Sequence, residues 1–340
     1  MKPSIYLILL FSLIFASCEQ LFLKEESLNT PTAIFEEAWT FADQEYSFFA
    51  YKGVDWDAVK AEYQAQVSDD MSDEELFEVL ADMLFELRDG HVNLRSSFDR
   101  SRNWTWFLNS PPNFNGDVLE RSYFKSEQQI WGPFRVFDFG DIAYIRYASF
   151  GDGISNSVLD DVLTRFAERK GLIIDVRHNG GGSLTNAERF VQRFAEESQL
   201  VGRRRNKSGP GHEEFTDWVE LTVNPAKDAE DELRPHFYGP VILLTNRRSY
   251  SATTFFTQFM RELPNVTVVG DTTGGGGGAP SFTELANGWN LRVSATQLEA
   301  PDGFNVEDGI PPDVQIDLEP ADEAKGIDTI LEEALRIIRE

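Results

Sequence analysis

The feature that most constrains the fold of this chain is an alternation of short apolar runs and amphipathic segments between residues 136 and 270. The runs GLIIDVR, GPVILLTN and VTVVG have the length and composition of buried strands. The segments ISNSVLDDVLTRFAER and SATTFFTQFMREL carry apolar residues three and four positions apart, which predicts helices. Strands that alternate with helices predict a mainly parallel sheet with helices over its faces. The expected fold class is therefore α/β.

The segments that flank this region extend the prediction. Residues 34–95 contain three amphipathic stretches and predict a small helical subdomain. Ser72 followed by Glu75 predicts a capping box at the start of the third helix, and Gly90 is expected to end that helix. Residues 96–135 predict connecting loops and short strands, whereas residues 281–318 return to β character and residues 326–338 predict a closing helix.

Charge and composition narrow the classes of function. The chain has 340 residues, of which 41% are hydrophobic, so it can bury a sizeable core. Its formal net charge of -26 repels phosphate backbones, which argues against nucleic acid as a partner. The four histidines are far apart and the single cysteine is N-terminal, so no metal site is evident and we expect no cofactor.

The N-terminal residues predict export. The stretch MKPSIYLILLFSLIFAS combines an early lysine, an apolar run and small residues just before Cys18. A sole cysteine after FAS resembles a bacterial lipobox, whose cysteine is lipidated and becomes the mature N-terminus. The alternative is ordinary signal cleavage nearby, with Cys18 an incidental thiol. We expect residues 1–18 to be a lipoprotein signal and residues 19–33 a tether, so that the protein is held on a membrane of the cell envelope by lipid.

Three loops that follow predicted strands could carry chemistry, because the carboxyl ends of parallel strands meet helix N-termini with unpaired N–H groups. They are DVRHNGGGS, NRRSYSAT and GDTTGGGGG. A serine at the start of the helix after the second loop could attack a carbonyl while glycine amides receive the oxyanion. Serine is also among the commonest helix caps, and position alone favours a cap.

A serine nucleophile needs a base, and histidine is scarce in this chain. The candidates are His91, His178, His212 and His236. His178 lies in the glycine turn, and His91 follows the tight RDG exit of a predicted helix. For any one histidine considered alone, a structural or surface role is the simpler interpretation.

Taken together, five segments resemble the C-terminal processing, or tail-specific, serine peptidases, in particular the branch similar to the tricorn core and to retinoid-binding modules. The segments are FELRDGHVNL, GLIIDVRHNGGGSLTNAERFVQRF, GPVILLTNRRSYSATTFFTQFM, VTVVGDTTGGGGG and EDGIPPDVQI, and they occur in family order across roughly residues 35 to 335. The resemblance implies a crotonase-like core of stacked β-β-α units over residues 136–340, preceded by the helical subdomain.

The resemblance also implies roles for individual residues. The family's nucleophile lies in the middle of a small-residue run that here is SYSA, which assigns the role to Ser251 and leaves Ser249 as a structural neighbour. The amide of Ala252 and one from Gly181 or Gly182 would form the oxyanion hole.

Two features depart from the better-known members. Those carry a lysine as general base in the glycine loop, whereas the matching position here falls at about Gly276, so the Ser–Lys dyad is absent. In the tricorn-like branch the base is instead a histidine, matched here by His91, with an acidic residue that orients it. The acid is expected to be Glu307, with Asp308 as a competitor, and the residue before the histidine is Gly90 where that branch has serine.

The second departure concerns the PDZ module that many members insert before the core. About forty residues separate HVNL from VFDFG, which is too few for a domain of ~80 to 90 residues.

Taken with the resemblance, the sequence predicts an exported serine peptidase that hydrolyses peptides or unfolded proteins through a Ser–His acyl-enzyme mechanism. The alternative is a non-catalytic module on the same fold that binds apolar ligands.

Overall fold

The computed structural model of the protein describes residues 29–340. Residues 1–28, which contain the predicted signal, Cys18 and most of the predicted tether, lie outside the described residues. Between residues 29 and 340, no helix is both long enough and apolar enough to cross a bilayer.

The helices of the described residues follow one another in this order: α1 (Pro31–Glu45), α2 (Phe49–Lys52), α3 (Trp56–Gln64), α4 (Asp73–Phe85), α5 (Thr105–Leu108), α6 (Gly116–Val118, continued by a π-helical turn, Leu119–Phe124), α7 (Asn156–Phe166), α8 (Leu184–Val191), α9 (Ala252–Arg261), α10 (Pro320–Glu323) and α11 (Thr329–Arg339).

The strands of the described residues are β1 (Asn93–Arg95), β2 (Gln129–Trp131), β3 (Phe134–Asp138), β4 (Ile142–Tyr147), β5 (Gly171–Asp175), β6 (Gln199–Asn206), β7 (Val219–Val223), β8 (Val241–Thr245), β9 (Val266–Gly270), β10 (Pro280–Glu284), β11 (Asn290–Ser294), β12 (Thr296–Glu299) and β13 (Val314–Gln315).

A seven-stranded sheet forms the centre of the fold, in the order β13-β9-β8-β5-β4-β3-β2. Neighbouring strands from β13 to β4 are parallel, and β3 and β2 add an antiparallel edge. The prediction of an α/β fold with a mainly parallel sheet is confirmed. Because β5 and β8 are parallel neighbours, the loops that follow them emerge side by side at the same edge.

The central sheet is buried on both faces, which explains why its strands are continuous apolar runs. Leu172 and Ile174 of β5 pack into a core shared with α7, α8 and α9. Ile173, which points to the opposite face, packs into a second core with residues of α11. The helices over the two faces fix the sheet edge from which the loops project.

A third core holds the N-terminal helices together. Residues of α1 and α4 pack in it against Leu94 of β1 and against Leu291 and Val293 of β11. Strands β1, β11 and β10 form a separate antiparallel sheet in that order. The helical subdomain is thus completed by strands from the C-terminal half of the chain, so its core is not confined to the predicted range 34–95.

Helix α4 begins as the sequence predicts and ends earlier. The capping box is confirmed, because Ser72 accepts the amide of Glu75 and the Glu75 carboxylate accepts the amide of Ser72. The expectation that Gly90 ends the helix is wrong. The helix ends at Phe85, and Arg88 follows with a φ of 48°, a left-handed conformation that cannot continue a helix.

Two other regions differ from the expectation. Strands β6 and β7 were not predicted, since QLVGRRRN lacks the apolar alternation of a strand, and they form a second small sheet with β12, which lies in the range expected to have β character. Two of the three arginines of β6 are paired across the sheet, since Arg203 donates to Glu299 and Arg205 donates to Gln297. In addition, α6 and its π-helical turn occupy residues 116–124, where loops and short strands were predicted.

A buried ion network joins the C-terminal helix to the sheet. Arg177, which follows β5, is fully buried and pairs with Asp175 at 2.7 Å and with Asp328 at 2.9 Å. Asp328 also caps α11, because its side chain accepts the amide of Leu331. One carboxylate therefore neutralises a buried guanidinium and starts the helix that covers one face of the sheet.

We expect Asp328→Ala to lower the free energy of unfolding by about 3 kcal/mol, because it leaves the buried Arg177 with one partner fewer and removes a helix cap. Urea denaturation followed by circular dichroism measures this change. The control is Asp117→Asn, which breaks a pair whose side chains are 81% and 80% exposed and should shift stability by less than about 0.5 kcal/mol. Equal effects of the two substitutions would contradict the assignment.

Candidate active site

Ser251 occupies a strained corner between a strand and a helix. It follows β8 and is the N-cap of α9, with φ 59° and ψ -122°. Such a backbone conformation is costly for a residue with a side chain and persists only where its surroundings impose it. Here the Ser251 amide donates to the carbonyl of Gly275 and the Tyr250 amide donates to the carbonyl of Asn179. The corner is therefore held between the two glycine loops.

The side chains of the two serines have different partners. The Ser249 hydroxyl is fully buried, donates to the carbonyl of Val176 at 2.8 Å and accepts the amide of Asn246. It ties the turn to the end of β5. The Ser251 hydroxyl makes no capping hydrogen bond, although its residue stands at the N-cap. The interpretation of Ser251 as an ordinary helix cap is therefore wrong.

His91 is brought to Ser251 from 160 residues earlier in the chain. Its Nε2 lies 2.9 Å from Ser251 Oγ, within hydrogen-bonding distance. The residue is 6% exposed, and its ring packs against Tyr250 with 4.9 Å between centroids. Its backbone amide donates to Asp89 Oδ1 at 2.7 Å, which fixes the turn between α4 and β1.

The imidazole of His91 is neutral near pH 7. Burial lowers its pKa from 6.5 to about 4, an effect larger than the opposing attraction of the Asp89 carboxylate. The positive charges of Arg292 and Lys52 also lower the pKa. A neutral imidazole can accept the proton of the Ser251 hydroxyl at Nε2, as a general base must.

A cluster of charged groups lies behind the histidine. Lys52 Nζ is 2.7 Å from Glu307 Oε1 and 4.0 Å from Asp89 Oδ2, and all three side chains are nearly inaccessible to solvent. Asp89 Oδ2 accepts the hydroxyl of Ser294 at 2.8 Å. We call Lys52, Asp89 and Glu307 the buried triad of charges. Burial and the nearby Asp89 charge raise the pKa of Glu307, whereas the ammonium of Lys52, 2.7 Å away, opposes this rise and favours the carboxylate.

The structure brings Glu307 close to the site but not to the imidazole. Its two carboxylate oxygens are bound to Lys52 and to the amide of Gly277. The expected direct contact with His91 is therefore not made. The competing residue, Asp308, accepts the hydroxyl of Tyr51 and does not contact the imidazole either. The carboxylate whose charge acts most strongly on His91 is Asp89.

The expected oxyanion hole consists of the amide of Ala252 and one amide from Gly181 or Gly182, and these amides differ in their partners. The amide of Gly181 donates to the side chain of Asn179 at 3.0 Å, so it is already engaged. Among the described residues, the amides of Gly182 and Ala252 have no protein acceptor. A Cβ at Gly181, whose φ is +96°, would lie 2.9 Å from the Ala252 nitrogen, so only glycine lets the two loops approach this closely.

Gly276, the position expected to match the family lysine, has no room for a side chain. Gly276 has a φ of +75°, and a Cβ there would lie 2.5 Å from Cζ of Tyr250. The ring of Tyr250 therefore fills the space that a side chain at 276 would need. This packing leaves no room for a lysine side chain at position 276, which agrees with the absence of a Ser–Lys dyad from the sequence.

The other three histidines have partners other than Ser251. His178 lies with its Nε2 3.0 Å from the carbonyl of Pro112, His212 pairs with Asp43, and His236 contacts the carbonyl of Arg234. Within the described part of the chain no group of three potential ligand residues could hold a metal ion.

Three residues of the site were missed by the sequence reasoning. Asp89 lies in the RDGH segment, two residues before His91, and this short spacing indicates a carboxylate close to the histidine. Lys52 and Arg292 lie in segments with no recognisable motif, because their proximity to the site is produced by the packing of α2 and β11.

Comparisons with family models agree with the motifs. The model described as peptidase family S41 matches residues 141–316, and the model described as the tricorn protease C1 domain matches residues 29–85. The resemblance to tail-specific serine peptidases of the tricorn-like branch is thereby confirmed.

Curated relatives match over part of their length. A carboxy-terminal-processing protease of Bartonella bacilliformis is 24% identical over 201 residues, which are 57% of this chain and 43% of that protein. A "probable CtpA-like serine protease" of Staphylococcus aureus is 26% identical over 180 residues, 52% of this chain and 34% of that protein. This chain therefore spans less than half the length of these relatives.

Solved structures show the same fold. The crystal structure of a "putative peptidase" from Parabacteroides merdae is 42% identical, with a TM-score of 0.86 over 91% of this chain and 97% of that chain. The tricorn protease is 16% identical, with a TM-score of 0.58 over 92% of this chain and 37% of that chain, and shows the fold alone.

The S41 model covers 176 of the 340 residues, including the strands and loops that surround Ser251. The Parabacteroides structure matches nearly the whole of the described chain. This chain belongs to peptidase family S41.

Proposed function

We propose that this chain is an exported serine peptidase that hydrolyses peptide bonds in peptides or unfolded proteins, with Ser251 as nucleophile and His91 as general base. The observation that carries the proposal is the 2.9 Å contact between Ser251 Oγ and a buried, neutral His91 Nε2. The relatives named as serine proteases support the same reaction class.

The geometry supports a sequence of proton and acyl transfers. Ser251 Oγ attacks the substrate carbonyl while His91 Nε2 takes the hydroxyl proton. The amides of Ala252 and Gly182 stabilise the oxyanion, and the imidazolium then gives its proton to the leaving amine. A water activated by His91 hydrolyses the acyl-enzyme. At each transfer the charge of Asp89 stabilises the imidazolium, since it favours protonation of His91.

The buried triad of charges supports this mechanism indirectly. Lys52 neutralises Asp89, and Asp89 in turn fixes the His91 backbone. Glu307 holds Lys52 and the loop amide of Gly277, which belongs to the glycine loop beside Ser251. We assign Glu307 a positioning role through Lys52 and the glycine loop in place of direct contact with the imidazole.

The alternative of an apolar-ligand module is less well supported. A cavity of about 150 Å³ is lined by Gly90 and Tyr250, the chain neighbours of His91 and Ser251, and by the charged residues Arg88, Arg247, Glu307 and Asp308. An apolar ligand would desolvate these groups without offering them hydrogen bonds.

The cellular location is part of the proposal and rests on the N-terminal sequence. Cys18 would carry the lipid that holds the protein on a membrane of the cell envelope, and residues 19–33 would tether the peptidase to it. A solved lipoprotein of Streptococcus agalactiae has a similar fold at 14% identity, with a TM-score of 0.57.

Conversion of Ser251 to alanine should lower hydrolysis of an unfolded protein substrate by at least about 10⁴-fold, because the nucleophile is lost. A fluorophosphonate probe should label Ser251 of the natural protein, as located by peptide mass spectrometry. Ser198→Ala, at an exposed serine without a side-chain hydrogen bond, is the control and should retain labelling and turnover. Undiminished activity in Ser251→Ala, or labelling at Ser249, would overturn the assignment.

The acid limb of the kcat/KM profile should lie near pH 4 and not near the usual histidine pKa of 6.5. The base form of His91 persists down to its folded-state pKa, so activity should be level from pH 7 to about 5 and fall as pH approaches 4. In the unfolded state His91 takes up its proton near pH 6.5, so the free energy of unfolding also decreases as the pH falls below that value. Circular dichroism at each pH therefore has to show a folded protein. A limb at pH 6 to 7 in folded protein would contradict the buried, neutral histidine.

Metabolic labelling with a fatty-acid analogue tests the location. The natural chain expressed with its N-terminal residues in a bacterium should incorporate the label, and Cys18→Ser should not, because Cys18 is the only thiol. The Cys18→Ser protein should appear in the soluble fraction. Label retained in that variant would refute lipidation at this cysteine.

A further inference from the structure

The outer face of the small sheet β1-β11-β10 lies next to His91 and carries an unusual set of side chains. The register places Asn93, Arg292 and Phe282 in one row across the three strands. Arg95 follows two residues after Asn93 on the same face. The opposite face is apolar and belongs to the core of the N-terminal helices.

Three arginines line the cavity of about 350 Å³ above this face: Arg95, Arg100 and Arg292. Within residues 29–340 none of them forms an ion pair with a carboxylate. Their lack of partners is informative, because the chain has 57 acidic residues and only 31 lysines and arginines. Although the chain carries an excess of carboxylates, none of them pairs with these three guanidinium groups among the described residues, so the three remain available to bind a ligand.

Arg292 is the most constrained of the three. It is half-buried, and its Nε is inaccessible to solvent with no hydrogen-bond acceptor among the described residues. Its neighbour in the row, Phe282, has 65% of its surface exposed and offers an apolar contact beside the charge.

The arginine face is continuous with the catalytic residues. Strand β1 begins two residues after His91, and β11 continues from Arg292 to Ser294, whose hydroxyl donates to Asp89. The charge of Arg292 reaches the imidazole, since it lowers the pKa of His91. A ligand group on this face would therefore lie beside the general base.

We propose that this face is a substrate subsite in which Arg292, with Arg95 and Arg100, binds a carboxylate of the peptide. The fork of an arginine matches the two oxygens of a carboxylate, and several guanidinium groups can share one anion. The carboxylate comes either from an acidic side chain or from the α-carboxylate of the peptide's end. The inference rests on the proposed peptidase function, because it supplies the substrate specificity of that site.

Equilibrium binding to the Ser251→Ala protein tests the subsite without turnover. Three short labelled peptides of alanine, leucine and glycine are compared by fluorescence anisotropy: one with an internal Glu and an amidated end, one with Gln and an amidated end, and one with Gln and a free α-carboxylate. We expect one or both carboxylate peptides to bind about 10-fold more tightly than the neutral peptide. The peptide that gains identifies the source of the carboxylate.

The same measurements in Ser251→Ala combined with Arg292→Gln should abolish the preference, and Arg292→Lys, which keeps the charge without the fork, should retain part of it. Arg121→Gln is the control, because that arginine is 81% exposed and distant in the fold on the π-helical turn. It should leave the preference unchanged. Thermal melts compare the folding of all variants.

Equal affinities for the three peptides, no binding of any of them, or a preference that survives Arg292→Gln would overturn the subsite. Turnover of the same peptides by the natural protein is measured separately. Hydrolysis without carboxylate preference leaves the peptidase proposal standing and refutes the subsite. Carboxylate-selective binding without any Ser251-dependent hydrolysis supports the subsite and refutes the proposed activity.

Discussion

The site depends on the burial of one positive charge, Lys52, between the carboxylates of Asp89 and Glu307. The three residues come from α2, from the exit of α4 and from the loop before β13, so the cluster joins the N-terminal helices to the sheet domain. A buried charge left without its partner destabilises a protein by roughly 3–5 kcal/mol, which makes the three mutually dependent. The charge cluster thereby fixes the position of His91, because the Asp89 carboxylate accepts the backbone amide of His91. The Asp89 charge also raises the pKa of the imidazole against the effect of burial.

The second requirement is a backbone that keeps Ser251 in a left-handed conformation. The parallel strands β5 and β8 deliver their loops to the same edge, where Tyr250 binds Asn179 and Ser251 binds Gly275. The close approach of Gly181 to Ser251 and to the Ala252 nitrogen excludes any side chain at position 181. Core packing on both faces of the sheet therefore positions the proposed nucleophile, and the buried charges position its proposed base.

Much of this arrangement could be predicted from local sequence signals. The apolar runs of β5, β8 and β9 predicted the parallel sheet, and the loops after them contain Ser251 and the glycines. The pairing of His91 with Ser251 came from the family resemblance and not from periodicity. The sequence does not predict that Lys52 and Arg292 lie at the site, nor which groups Glu307 binds. Each of these depends on long-range packing, with no motif at the residue itself. Strand β6 was missed because QLVGRRRN lacks an apolar alternation, and Arg203 and Arg205 pair instead with polar side chains of β12.

A crystal structure of the protein after reaction with a fluorophosphonate tests directly whether Ser251 is the nucleophile and His91 its base. We expect a covalent bond from phosphorus to Ser251 Oγ, and a phosphoryl oxygen that accepts the amides of Ala252 and Gly182 within about 3 Å. His91 Nε2 should remain within hydrogen-bonding distance of the adduct, and the ion pair of Lys52 and Glu307 should be intact. An adduct on another residue, or a phosphoryl oxygen that points away from both amides with His91 displaced, would contradict the assignment of Ser251 and His91.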